Sequence, residues 1–314
     1  MFFTPASLRF VRYAISCAVT AATAVAVITL SGCGTAVPAA SQRVEVDARA
    51  NGIAIRPSDN TIFITDDKTN GVLSSANGKD FVPYATIPPV TGQPNSLSQL
   101  IVTDDGSLLV AQFGFGKTGA VLDINKDRSA LALQGPDPAR RRLGMVAIGR
   151  GKLLSSWFVK GASGPPSGGV SLIIYDESTH EASEHNLLTG LGKPVGIEVQ
   201  GDDVFISDQA NNMILEVSLS ALVDHHRPGG VVPKVIKIDQ PDLLAIDSGG
   251  ALYTKCNSTA VCEITPDGKV VPLANDFHDA RGVAVDSTRG VLFVVDRADN
   301  ASGVSTLRAL SLKQ

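Results

Sequence analysis

The chain predicts an all-β fold, a six-bladed β-propeller over residues 43–314, on three observations. A unit of apolar strand, Asp/Gly turn and second apolar strand recurs at a period of roughly 40–50 residues, the spacing of propeller blades. The strands are short and bounded by Gly, Asp, Asn and Pro. No long amphipathic helix interrupts them, and aromatic content is only 5%.

Blade one begins near Ala48: Gly52-Ile53-Ala54-Ile55 turns through Ser58-Asp59-Asn60 into Ile62–Asp66, followed by Gly71-Val72-Leu73 and Phe81–Tyr84. Blade two begins near Asn95 and carries the weaker copy Leu100 to Gln112. Blade three begins near Arg142 with Met145 to Trp157. Blade four begins near Gly192: Gly196-Ile197-Glu198-Val199 turns through Gly201-Asp202-Asp203 into Val204–Asp208, then Met213–Val217. An insert, Ser220–Gly230, holds His225 and His226 and is read as solvated; Val231–Ile238 completes the blade. Blade five begins near Gln240, with Leu244 to Lys255 and two strands around the β-turn sequence Pro266-Asp267-Gly268. Blade six begins near His278, with Gly282–Val285 and Leu292–Asp296. Arg43–Val46 alternates like a strand and is expected to join blade six as its outer strand. An unclosed ring would leave exposed strand edges.

The first residues have a different composition. Arg9 and Arg12 precede an apolar run, Ala14 to Leu30, that ends in Leu30-Ser31-Gly32-Cys33. A positive start, an apolar core and small residues at the cut describe a secretory signal. The last four residues resemble a bacterial lipobox, which implies a lipoprotein signal peptide over 1–32 and acylation of Cys33, palmitate being one such chain. The alternative is a plain membrane-spanning anchor. Residues 33–42 then form the acylated cysteine and a small, polar tether. The expected location is lipid-anchored on the cell membrane or outer membrane, facing periplasm or exterior.

The chain carries 27 basic and 31 acidic residues, a net charge of −4; loss of Arg9 and Arg12 gives −6. Nucleic acid is excluded as a partner by the lack of a basic stripe. Arg140-Arg141-Arg142 is read as a solvated loop. Cys256 and Cys262 flank the turn-like Asn257-Ser258-Thr259, which places them on facing strands of one hairpin; export predicts a disulfide between them.

Two columns of residues should meet at one mouth of the central channel, a concave convergence of loops. The first, just before each inner strand, reads Asn51, Ser98, Gly144, Val195, Asp242, Arg281; the second, after the next strand, reads Asp66, Gln112, Trp157, Asp208, Lys255, Asp296. The charged members leave −2 at the mouth. Asp66, Asp208 and Asp296 each have an Asn four residues on, which also suits a turn device. Asn51, Asp242 and Arg281 either line a site or bond the channel's own backbone. Trp157 either stacks on a ligand or packs. The ligand-binding candidates are thus Asn51, Trp157, Asp208, Asp242, Lys255 and Arg281.

The unit Asn51-Gly52-Ile53-Ala54-Ile55 to Ile62-Phe63-Ile64-Thr65-Asp66 resembles the repeat of NHL propellers. It is also similar to the regucalcin/gluconolactonase (SMP-30-like) family of six-bladed propellers. That resemblance implies one divalent cation, Ca2+ or Zn2+, as cofactor, held over the channel by oxygen ligands. Pro241-Asp242 matches the family's Asp segment, with Leu243 in place of Gly. Pro194-Val195-Gly196 stands where its Asn segment falls, and Asn51 stands in place of a Glu. The implied metal ligands are therefore Asp242 and Asn51.

Two functions follow from the sequence. In the first, the propeller is a membrane-anchored module that binds a small molecule or a protein without catalysis. In the second, it is a metal-dependent gluconolactonase-like hydrolase or lyase. Its active site then lies at the mouth, with Asp208 near the cation and Arg281 on an anionic group or oxyanion. No Gly-x-Ser-x-Gly elbow offers a serine nucleophile.

Overall fold

The computed structural model describes residues 42–161, 163–223, 233–298 and 303–312. The signal segment 1–32, Cys33, the tether as far as residue 41, and His225-His226 lie outside the described residues. Six four-stranded antiparallel sheets form the blades. The first strand, β1 (Gln42–Val46), is set apart in sequence from its own sheet. Blade one is β2 (Ala50–Ile55), β3 (Ile62–Asp66), β4 (Gly71–Ser75) and β5 (Val82–Thr86). Blade two is β6 (Leu97–Val102), β7 (Leu108–Gln112), β8 (Ala120–Ile124) and the three-residue β9 (Ala130–Ala132). Blade three, with the longest strands, is β10 (Arg141–Gly149), β11 (Lys152–Val159), β12 (Ser167–Tyr175) and β13 (Ala182–Leu191). Blade four is β14 (Pro194–Gln200), β15 (Asp203–Asp208), β16 (Met213–Ser218) and β17 (Lys234–Lys237), with a short helix α1 (Leu219–Val223) after β16. Blade five is β18 (Ala245–Ile246), β19 (Leu252–Lys255), β20 (Val261–Ile264) and β21 (Val270–Ala274). Blade six is β22 (Ala280–Asp286), β23 (Val291–Asp296) and β24 (Ser305–Ser311), completed by β1, which pairs with β24.

The first strand of the sequence thus closes the ring against the last. Val44 faces Leu307, and Ser305 pins the seam. Its hydroxyl accepts the N–H groups of Ala50 and Ala298 and donates to Ala48 O. β1 thereby covers the edge that β24 would otherwise expose. Period-2 alternation puts apolar residues on both faces of each blade. They interleave in six layers, one between each pair of neighbours. Phe63 and Val72 of blade one meet Leu100 and Val110 of blade two, for example. The Cys256–Cys262 disulfide lies in the layer between blades four and five. Among the described residues no helix is long and apolar enough to cross a membrane.

The inner strands approach more closely than side chains would permit. A Cβ on Gly52 would lie 2.2 Å from Ser98 O of the next blade, and one on Gly196 would lie 2.6 Å from Asp242 O. Hydroxyls on the second strands bridge these approaches. Thr65 Oγ1 accepts Gly52 N–H and donates to Ser98 O. Ser156 does the same for Gly144 N–H and Val195 O, and Ser207 for Gly196 N–H and Asp242 O. Each satisfies one buried donor and one buried acceptor that would otherwise be orphaned. Thr254 plays a variant of the part, accepting Asp242 N–H and donating to Leu243 O. Blade two has Ala111 at this place, and there Gln99 Oε1 accepts Met145 N–H of blade three instead.

The arginine run is not a solvated loop. Arg142 is fully buried and forms a two-pronged pair with Glu184 of β13, at 2.9 and 2.8 Å. Arg140 also donates to Glu184 (2.7 Å) and stacks 3.9 Å over the Trp157 ring. The blade has strands of eight to ten residues, long enough to fold the arginines back over its own outer face.

Candidate functional site at the channel mouth

Strand register fixes which residues share the mouth. Ala50 faces Asp66, Leu97 faces Gln112, Arg142 faces Trp157, Pro194 faces Asp208 and Ala280 faces Asp296. The next residue in each blade is Asn51, Ser98, Leu143, Val195 and Arg281. Asp242 holds the place in blade five through its N–H bond to Thr254. Leu143, not Gly144, is the blade-three member. The irregular register between Arg142 and Met145 recurs in the other blades, between Ala50 and Ile53 for example, so blade three keeps the common repeat and counting from Arg142 gives Leu143.

The polar chemistry concentrates on blades five and six. Arg281 lies between two carboxylates: its Nη1 is 3.2 Å from Asp242 Oδ2 and its Nε 2.9 Å from Asp279 Oδ2. Burial disfavours its charge, but Asp242 and Asp279 outweigh that and raise its pKa. Asp279 Oδ1 also pairs with Lys255 Nζ at 3.2 Å. The remaining Asp242 oxygen accepts Leu243 N–H at 3.0 Å. Lys193, in the turn before β14, senses the same group. Burial first, and then Arg281 and Lys255, lower its pKa, against the opposing pull of Asp242. Its Nζ donates to the neutral Gln209 Oε1 at 2.6 Å and stands 5.9 Å over the Phe158 ring.

Three cations therefore face two carboxylates, an excess of one positive charge. The sequence reading of −2 counted Asp66, Asp208 and Asp296, whose charge is spent on backbone. Asp208 has no exposed surface; its oxygens accept Gly192 N–H, Lys193 N–H and Asn211 Nδ2–H. Asp66 likewise receives Arg49, Lys68 and Thr69 N–H, and Asp296 receives His278 and Asp279 N–H. Asn70 and Asn212 follow at positive φ and tie each turn to the next loop; Asn300 lies outside the described residues. Asp208 is thus a turn residue rather than a ligand group. Trp157 is 7% exposed, with Arg140 on one face and its indole N–H on Ser171 Oγ, so it packs rather than stacks on a ligand. Asn51 donates Nδ2–H to Leu97 O and is half-buried. Asp242, Lys255 and Arg281 are the candidates the structure brings together.

Sequence reasoning missed Asp279 and Lys193. Asp279 was visible as the acidic partner two residues before Arg281. Lys193 stood just ahead of Pro194, outside either column.

The residues do not fit the divalent cation that the resemblance implies. A hard cation takes six to eight oxygen ligands. Here Asp242 gives one oxygen to a guanidinium and the other to a backbone N–H, Asn51 presents a donor to Leu97, and Val195 is apolar. No group of three or more metal-ligating side chains occurs among the described residues.

Fold and mouth together define a closed six-bladed propeller with a cluster of charged side chains at one end of its channel. The solved structures it matches share that fold. A gluconolactonase from Xanthomonas campestris has a TM-score of 0.63 at 14% identity, covering 84% of this chain and 86% of that one. Regucalcin, a calcium-binding protein of Agrobacterium tumefaciens, gives 0.61 at 14%, covering 83% and 91%. Virginiamycin B lyase from Staphylococcus aureus gives 0.55 at 12%, covering 86% and 99%. The structural neighbours are thus gluconolactonase- and regucalcin-like propellers, alike in fold. Neither a family model nor a curated protein matches the chain.

Proposed function

We propose that this is an exported, lipid-anchored propeller that binds a small organic anion at the channel mouth. The observation that carries the reading is Lys193: a partly buried ammonium, crowded by Arg281 and Lys255, whose hydrogen-bond partner is a neutral amide. An anionic group there would complete the charge balance, with Lys255 and Arg281 beside it and Phe158 as an apolar wall. Asp279 and Asp242 hold Arg281 in place before any ligand arrives, which lowers the ordering cost of binding. The lipobox-like Leu30-Ser31-Gly32-Cys33 supports the anchored location, and loss of acyl-chain labelling in Cys33→Ser would test it.

A hydrolase or lyase acting at the same mouth is the second reading. It is favoured by the likeness of fold to a gluconolactonase and a lyase, and by the lowered pKa of Lys193, which suits a base. Arg281 would then stabilise an oxyanion.

Thermal melts of the purified protein with gluconate, neutral glucose, and Ca2+ or Zn2+ against chelator separate these ideas. A ligand at 100 times its Kd adds about 2.7 kcal/mol. We expect stabilisation by the organic anion, lost in Lys193→Met/Lys255→Met. A shift confined to a divalent cation and dependent on Asp242 would sink the anion reading. Turnover of a lactone that disappears in Lys193→Met would select the enzyme.

A further inference from the structure

Below the mouth the channel changes character. One residue of each inner strand sits opposite the same point of its second strand: Ala54 to Phe63, Ile101 to Leu109, Val146 to Leu154, Ala245 to Tyr253 and Ala284 to Phe293. Blade four departs from this apolar rule, with Glu198 opposite Phe205. Glu198 lines a cavity of about 230 Å³ whose walls include Ile53, Ile55, Ile101, Val283 and Val285. Pro57, in the turn after β2, marks the end of the cavity away from the mouth. Among the described residues the one other polar side chain on its walls is Gln99, whose Oε1 is already bonded to Met145 N–H. No other titratable residue from β2, β6, β14, β18 or β22 lines the cavity.

We propose that this cavity is a second binding site, for a small organic amine with an aliphatic body, whose ammonium pairs with Glu198 while its carbons lie on the Ile and Val walls. The carboxyl has a place to form an ion pair and, among the described residues, no cation to form it with. The adjacent Val199 N–H is the group that favours its charge, and burial prevails, pushing the acid up to about 8. One carboxyl and one amide supply too few oxygens for a divalent cation. An organic anion would meet an apolar wall and a carboxyl. An aliphatic ammonium meets both features at once. The cavity is smaller than the roughly 300–1,000 Å³ typical of sites for drug-sized ligands, so the amine is short.

The proton balance is fixed by this chemistry. The free amine is already an ammonium at neutral pH, as a lysine side chain is, with a pKa of about 10.4. Glu198 is mostly protonated when the cavity holds no amine. Pairing therefore releases its proton to buffer, roughly 0.9 per amine bound at pH 7 for an acid of pKa about 8.

Calorimetric titration of the purified full chain with hexylamine, hexanol and hexanoate, in two buffers of different ionisation enthalpy, tests this. We expect hexylamine to bind with near-stoichiometric proton release, and at least tenfold more tightly than hexanol or hexanoate. Glu198→Gln keeps the shape of the neutral acid, and melts check its fold; it should lose at least tenfold in amine affinity. Lys193→Met/Lys255→Met should leave amine binding intact, so failure at the mouth and failure in the channel are distinguishable. The proposal is overturned by no hexylamine heat at millimolar concentration, by equal affinity in Glu198→Gln, or by binding without proton release.

Discussion

Replacing Glu184 by Gln should cost more stability than any other conservative change on blade three. The Glu184 side chain is only 6% exposed. It accepts two hydrogen bonds from Arg142 (2.9 and 2.8 Å), one from Arg140 (2.7 Å) and one from Asp137 N–H (2.8 Å). Burial opposes its charge. The Arg142 hydrogen bonds and charge, the Asp137 N–H and Arg140 more than reverse that and hold its pKa at about 2. The fall from 4.5 corresponds to about 3 kcal/mol, at about 1.36 kcal/mol for each tenfold change. Because the folded pKa lies below the unfolded one, this stability is fully present above about pH 5 and is lost as pH falls toward 2. Glutamine keeps the shape but leaves Arg142 buried without a counter-charge, a loss of about 3–5 kcal/mol for a broken buried pair. At about 2 °C per kcal/mol in a chain of this size, Tm at pH 7 should fall by about 6–10 °C. Calorimetric or fluorescence melts at pH 7, 5 and 3 would read this. The gap between wild type and variant should narrow at low pH, because the wild-type carboxyl protonates. A fall below about 2 °C at pH 7, or pH curves that run parallel, would refute the reasoning.

Two further outcomes concern the repeated hydroxyl bridge and the disulfide. Ser207→Ala orphans Gly196 N–H and Asp242 O in a buried seam, so urea unfolding should show a loss of about 1–3 kcal/mol. Ser207→Thr should be tolerated, since Thr65 does the same work in blade one; equal losses in both variants would contradict the bridging role. Reducing Cys256–Cys262 opens a short loop and should cost about 2 kcal/mol. Free thiols at both positions in the mass spectrum of unreduced protein would contradict the disulfide.

The architecture was legible because it is written in period and alternation, which depend on the backbone and repeat six times. Even ring closure could be read, since Arg43–Val46 alternates and has no other sheet to join. The mouth was only half legible. Spacing found Asp242, Lys255 and Arg281, because each sits at a fixed step from a strand end. It could not say that Asp208 spends its charge on Gly192 and Lys193 N–H groups, because a carboxylate in a turn and one in a site look alike in sequence. Arg140 and Arg142 were misread for a related reason: their partner Glu184 is more than forty residues away, across three strands. Glu198 was in plain view. Gly-Ile-Glu-Val has a Glu where Gly-Ile-Ala-Ile and Gly-Val-Ala-Val both have Ala, and comparison of the copies finds it.

The pairing of Asp242 with an arginine explains the asymmetry of the mouth. Asp242 is 4% exposed, and a carboxylate so placed needs a compensating charge or hydrogen bonds. A divalent cation would supply it only if several blades contributed oxygens, since the coordination sphere must be filled from different directions. At the level of Asp242, blade three carries Leu143 and blade four Val195, which contribute none. A guanidinium makes no such demand. Arg281 comes from the next blade alone, and Asp279, two residues away on the same strand entry, orients its fork. At that level blades three and four are thereby freed to remain apolar beside Phe158, with Lys193 in the turn before β14, while blades five and six carry the other charges. A ligand that matches this division has a negative group at one end and a carbon skeleton at the other. The cavity below selects the opposite sign, because Glu198 stands there among the Ile and Val side chains of the inner strands. One channel thus presents two ends of opposite chemistry, set by which blade departs from the repeat and at what depth.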